Sequence, residues 1–348
     1  METLWFCAVA AMIAAYAVFD GFDLGAGILH LLVARNDPER RLVLRSIGPV
    51  WDGNEVWLVA AGGVLYFAFP ALYAASFSGF YLPLIIVLWL LMLRGIAIEF
   101  RHHIDNPVWR PFWDVTFSAA STLLAVFFGA ALANVVRGVP LDARGYFFEP
   151  LWTDFGWSGS PETGILDGYT VTVGLAALAT LAAHGALWLA LKNDGVVRQR
   201  ARAAFASAWW AVGLLTMVVT FLTFRVQPHV GASFERRPWM WIFPALALAG
   251  LAGMRWYAAR GEDLAAFLAS CAYVAGMLSS AAAGLYPYVL PSNQDPGLGL
   301  TIRGAAAPAY GLGVGLAWWI PGMALVAVYF TYAYRRFAGK VSLEGEGY

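Results

Sequence analysis

The sequence predicts an all-α polytopic membrane protein with about nine transmembrane helices. Apolar residues make up 60% of the 348 positions and charged residues 13%, with a mean hydropathy of +0.64. A soluble domain carries about 25% charge. Nine apolar runs reach the roughly 20 residues that a helix needs to cross a bilayer. Lys and Arg also alternate in density between successive connections, as expected of a chain that weaves through a membrane.

The runs fall at 4–33, 50–69, 74–99, 115–136, 165–191, 203–224, 239–257, 263–285 and 309–334. The first follows Met1-Glu2-Thr3, without a basic leader or a convincing cleavage site, and reads as a retained helix rather than a signal peptide. It carries Asp20 and Asp23 three residues apart on one face, and Gly21 and Gly25 at the spacing that lets a neighbouring helix approach closely. The second opens after Pro49 with Asp52 and Glu55 in its first turn, where the helix dipole favours carboxylates. The third holds Arg94 and Glu99 near its end, and the fourth begins at Asp114. Short connections make these four an antiparallel bundle. Leu166-Asp167-Gly168-Tyr169, opening the fifth run, faintly echoes Phe19-Asp20-Gly21-Phe22, but the depths do not match.

Connections 137–164 and 286–308 are longer and rich in Pro, Gly and aromatic residues. The stretch from Tyr146 to Trp157 and the segment Tyr286-Pro287-Tyr288-Val289-Leu290-Pro291-Ser292 read either as a cover for a partner or a quinone tail, or as loops stiffened by proline. Connections and ends after odd-numbered runs carry 16 Lys and Arg, against 6 on the other side. The bias places the N-terminus outside and the C-terminus in the cytoplasm. Asp20, Asp23, Asp52, Glu55, Arg94 and Asp114 then gather toward the cytoplasmic end of the first bundle.

Lys plus Arg equals Asp plus Glu at 22 each, and no basic face marks a nucleic-acid surface. The 16 Trp and 15 Tyr, including Trp209-Trp210 and Trp318-Trp319, suit interfacial belts or ordinary helix packing. Cys7 and Cys271 lie in apolar runs at opposite depths, so no disulfide is expected. Of the five histidines only His184 lies well inside a run, where it reads as a helix–helix hydrogen-bond partner; His102-His103 reads as solvated interface. No metal or haem ligand set is expected.

A charge at the bilayer centre costs roughly 2.5–3.5 kcal/mol on insertion scales. The acids with Arg94 are therefore a proton path, a structural ion-pair network, or a cation site as in a cation- or proton-coupled transporter. The residues alone leave all three open.

Phe19-Asp20-Gly21-Phe22-Asp23-Leu24-Gly25-Ala26-Gly27 and Gly48-Pro49-Val50-Trp51-Asp52-Gly53-Asn54-Glu55-Val56-Trp57-Leu58 resemble the first- and second-helix motifs of subunit II of cytochrome bd-type quinol oxidases. Arg35-Asn36-Asp37-Pro38-Glu39-Arg40-Arg41, Ala74-Ala75-Ser76-Phe77-Ser78-Gly79-Phe80-Tyr81 and the Tyr286–Ser292 segment are similar to further stretches of that family. The resemblance implies a nine-helix fold: a first four-helix bundle over 1–136, a second over 165–285 and a ninth helix at 309–334. It implies a bacterial inner-membrane enzyme that oxidises quinol and reduces oxygen to water. Two haems b and one haem d sit in the partner, subunit I, and none is bound firmly here. Small single-helix subunits accompany some complexes, and some members carry a structural quinone or lipid in subunit II. Asp52 matches an acid on a cytoplasmic proton route. Trp57 matches a tryptophan near an oxygen-access tunnel. Asp20, Asp23 and Arg94 match polar positions of the same bundle, and Glu55 stands one turn beyond Asp52. The short connection between the sixth and seventh runs resembles the cyanide-insensitive branch.

Overall fold

The computed structural model describes residues 1–153 and 164–343, so residues 154–157 of the aromatic stretch lie outside the described residues. The described residues form α1 (Glu2–Val33), α2 (Asp37–Ile47), α3 (Trp51–Ala68), α4 (Pro70–Gly79), α5 (Tyr81–Phe100), α6 (Trp109–Arg137), α7 (Gly168–Lys192), α8 (Gly195–Val226), α9 (Pro228–Arg236), α10 (Ile242–Arg260), α11 (Asp263–Leu285) and α12 (Ala309–Arg336). Eight of these helices are long and apolar enough to span a bilayer, and α3 with α4 makes a ninth, broken candidate. The all-α membrane fold expected from the sequence is therefore the one observed.

Three boundaries differ from expectation. The run 74–99 is not one helix: α4 leaves α3 at 120° and α5 starts only at Tyr81. Pro70 has no N–H to donate and drives Phe69 out of helical geometry (φ −132°, ψ 65°), so the chain turns there. The connection 34–49 contains α2, a surface helix whose start is capped by Asn36, which accepts from the Glu39 N–H. The connection between the sixth and seventh runs holds α9 and a 3₁₀ turn at Pro238–Trp241.

α1 and α7 lie at the centre. They cross at Gly25 and Gly185, where a Cβ on Gly25 would fall 2.1 Å from the Leu181 carbonyl oxygen. This close approach is the one the Gly21/Gly25 pair predicts, and its partner comes from the second half of the chain. It sets His184 within 2.9 Å of the Val18 carbonyl, while Ser270 lies 2.7 Å from its other ring nitrogen. At one end, Tyr288–Leu290 (β1) pairs antiparallel with Leu300–Thr301 (β2), covering the N-terminal turn of α1; Trp5 donates to the Leu312 carbonyl there. α2 and the α5–α6 connection occupy the opposite end. The thiols of Cys7 and Cys271 are free.

Candidate functional site

Positions 16, 20, 23, 27 and 30 of α1 follow a four-three spacing and form one stripe along the helix. All five are buried: Tyr16, Asp20, Asp23, Gly27 and His30. Residues on α3, α5, α6 and α12 meet this stripe in two networks.

The first lies just past the midpoint of α1. Arg94 of α5 is wholly buried and grips Asp20 through both terminal nitrogens, at 2.9 and 2.7 Å. The second of these nitrogens also donates to Glu55 of α3. The Glu55 side chain keeps 26% of its surface exposed, so the pair reaches from the interior to the rim. Beside it, Asn54 donates to Asp23 at 2.7 Å and to the Phe19 carbonyl, and receives the Tyr334 hydroxyl at 2.9 Å. Tyr334 belongs to α12, of which only Leu312 is fully buried. Asp52 sits exposed on the first turn of α3, three residues from Glu55, and joins neither network among the described residues. Trp57 stacks on Phe19 (5.8 Å between ring centres) and meets Phe330 edge-on.

The second network sits nearer the α2 end. Asp114, at the start of α6, accepts from Arg101 Nε at 2.6 Å and from Arg40 at 2.9 Å, and lies 2.6 Å from His30 Nε2. Arg101 also holds Asp37 of α2 at 2.8 Å. The charges are thus not one terminal cluster. Ten residues of α1 separate His30 from Asp20, about 15 Å along the axis. Arg101 and Asp114 neutralise each other at the end, and Arg94 compensates Asp20 and Glu55 deeper in. The sequence reading missed the His30–Asp114 pair; its only local signal is that His30 continues the 20–23–27 stripe.

A third buried group lies at the opposite end of α6. Arg137 binds Asp167 (2.6 Å), Glu149 (3.0 and 3.1 Å) and Asn134 (2.7 Å). Asp167 also caps α7 by accepting from the Thr170 N–H. Burial pushes the Glu149 carboxyl up to about 7, against the pull of Arg137. Among the described residues no three His, Cys, Asp or Glu side chains converge on a point where a metal ion could sit.

The family model for "Cytochrome bd terminal oxidase subunit II" matches residues 1–337. A "Probable cytochrome oxidase subunit 2" of Haemophilus influenzae is 32% identical, over 98% of this chain and 95% of that protein. A "Cytochrome bd-I ubiquinol oxidase subunit 2" of Escherichia coli is 29% identical, over 99% and 96%. The solved bd oxidase of Geobacillus thermodenitrificans shares the fold, with a TM-score of 0.74 at 20% identity over 97% of this chain and 98% of that one. The buried acids of α1, Trp51 and Trp57 on α3, and these matches converge: this chain belongs to the cytochrome bd terminal oxidase subunit II family.

Proposed function

We propose that this chain is the haem-free subunit II of a quinol:oxygen oxidoreductase in a bacterial inner membrane. It scaffolds a haem-bearing subunit I and brings protons to it. Family membership removes the support for a self-sufficient transporter built on Asp20 and Asp23. The Lys/Arg bias favours an N-terminus outside and a C-terminus in the cytoplasm. The helices of 1–136 and 165–285 are read as two bundles, with 309–334 as the ninth span.

One observation carries the proton reading. A single buried cation, Arg94, serves the two carboxylates Asp20 and Glu55, with Asp23 a turn away on Asn54. Two buried carboxylates and a third at the rim, all charged against one buried cation, would be costly. The group is therefore a place where protons are taken up and passed on. Asp52 is the entry, Glu55 carries the proton past the rim, and Asp20 and Asp23 hold it inside while Arg94 sets the charge balance. Trp57, packed between Phe19 and Phe330, walls the apolar side where oxygen would pass.

Both ring nitrogens of His184, the histidine deepest in an apolar run, are engaged by Ser270 and the Val18 carbonyl, which leaves it no free nitrogen for a haem iron. Two haems b and one haem d in subunit I would supply electron transfer and oxygen binding. A structural quinone or lipid, and small single-helix subunits, are further components of this reading.

Asp52→Asn in the assembled complex tests the route. Oxygen consumption should fall by about 100-fold if Asp52 is the principal proton entry, with haem content unchanged. Wild-type turnover at full haem content would remove Asp52 from the route.

A further inference from the structure

Four polar side chains lie along the buried stripe of α1 and the α6 face that meets it at Gly27 and His30, and three of them carry a buried polar atom that has no hydrogen-bond partner among the described residues. These atoms are Asp23 Oδ1, Ser121 Oγ and His30 Nδ1. The fourth side chain, Asp114, closes the seam at the α2 end through its 2.6 Å contact with His30 Nε2. Asp23 and His30 are seven residues apart on the same stripe, about 10 Å along the axis. Ser121 of α6 stands between them. A Cβ on Gly27 would fall 2.1 Å from Ser121 Oγ, so only glycine there admits the hydroxyl to the seam. Asp23, Ser121, His30 and Asp114 are each at most 1% exposed.

Buried polar atoms are nearly always hydrogen-bonded, and where no protein group reaches them an ordered water does. Three orphans in a row, each too far from the next for a direct bond, define a file of sites for water. At its mouth the file meets solvent through Arg40 and Asp37, whose side chains are 25% and 37% exposed. At its inner end it meets Asp23, whose other oxygen is held by Asn54. Asp52 lies on a different helix and outside this seam.

We infer that the α1–α6 seam is a second hydrated proton inlet, entered at the His30–Asp114 pair and delivering to Asp23 independently of Asp52. The inference rests on reading the acids of the first network as a proton relay. His30 donates its Nε2 proton to the Asp114 carboxylate, which Arg101 and Arg40 also bind. In one passage a water delivers a proton to the free Nδ1 lone pair, and that same proton then leaves to the water beside Ser121: one N–H bond forms and the same bond breaks, so the ring ends in its starting tautomer. The proton then passes along the water file to Asp23 Oδ1.

The isosteric pair Ser121→Val and Ser121→Thr in the assembled complex separates hydration from packing. In the Asp52→Asn background, loss of the hydroxyl should slow the residual oxygen consumption at least roughly tenfold in the valine variant, with haem content unchanged. The threonine variant, of the same shape, should keep the Asp52→Asn rate. Equal slowing of both, or of neither, overturns the inlet. If the valine variant loses haem, His30→Gln replaces it: glutamine keeps a donor for Asp114 but cannot relay. The same tenfold loss is expected, and an unchanged rate overturns the inlet. Asp52→Asn measured alongside keeps the two readings apart. Slowing by Asp52→Asn alone leaves the first route standing and removes the second; slowing by Ser121→Val alone does the reverse.

Discussion

Arg94 and Arg137 solve one problem in two places. Each is wholly buried, and each is matched to two carboxylates from different elements: Asp20 and Glu55 for the first, Asp167 and Glu149 for the second. A buried guanidinium persists only when its donors are filled, and its planar fork can serve two acids at once. The second group titrates in an accessible range. Because burial raises Glu149 from 4.5 to about 7, the docked loop binds a proton that the opened loop has lost between those values. Docking is thus strongest at and below about pH 4.5 and weakens as pH rises to about 7, by about 3 kcal/mol in all. Above that it is flat. Hydrogen exchange of residues 138–153 should therefore quicken from pH 5 to pH 7, beyond the intrinsic rise, and Glu149→Gln should abolish that excess. A pH-independent excess would exclude Glu149 as its source.

At the scale of elements, close helix contact depends on single missing methyl groups. A Cβ on Gly25 meets backbone atoms of α7 at 2.1 to 2.7 Å, and backbone cannot turn aside as a side chain can. Gly213 on α8 has open space around the same position. Gly25→Ala should lower the thermal midpoint of the purified complex by several degrees or block assembly. Gly213→Ala should be neutral or stabilising by up to about 1 kcal/mol, as helix propensity dictates. Equal effects would place the α1–α7 contact elsewhere.

The apolar runs were legible because their length and hydropathy are local properties. So was the acid stripe on α1, because spacing alone puts 20 and 23 on one face. The break between α4 and α5 at Phe80 lies inside the run 74–99, which hydropathy reads as continuous, whereas Pro70 falls in the gap between the second and third runs, where proline itself is the signal. α2 was hidden by its charge; Asn36 with Glu39 three residues on is a helix-start pattern that a search for membrane spans passes over. The pairing of His30 with Asp114, 84 residues apart, and of Arg94 with Asp20, 74 apart, is written in no window of the sequence. Only the packing of α1 against α5 and α6 creates it.

For the whole molecule, the decisive surface is the one left uncovered. Asp52, Val56, Val59, Gly63 and Tyr66 form an exposed stripe on α3, and Val59 is 76% exposed. Gly62 and Gly63 have no atom within 4 Å of where a Cβ would stand, which leaves room for another helix to lie flush. α12 adds the exposed Trp318, Leu325 and Val328. This broad apolar face is expected to receive subunit I. Gly63→Phe should abolish co-purification of haem with this chain, whereas Gly213→Phe on α8 should not. Full haem recovery with Gly63→Phe would move the interface to another face.

α6 is fastened at both extremities. Asp114 anchors one to Arg101, Arg40 and His30, and Arg137 rivets the other to Asp167 and Glu149. The 23 helical steps from Asp114 to Arg137 measure about 34 Å, close to the thickness of a hydrocarbon layer. A rod pinned in this way resists sliding along its axis and turning about it, and so sets a fixed length between the two ends of the fold.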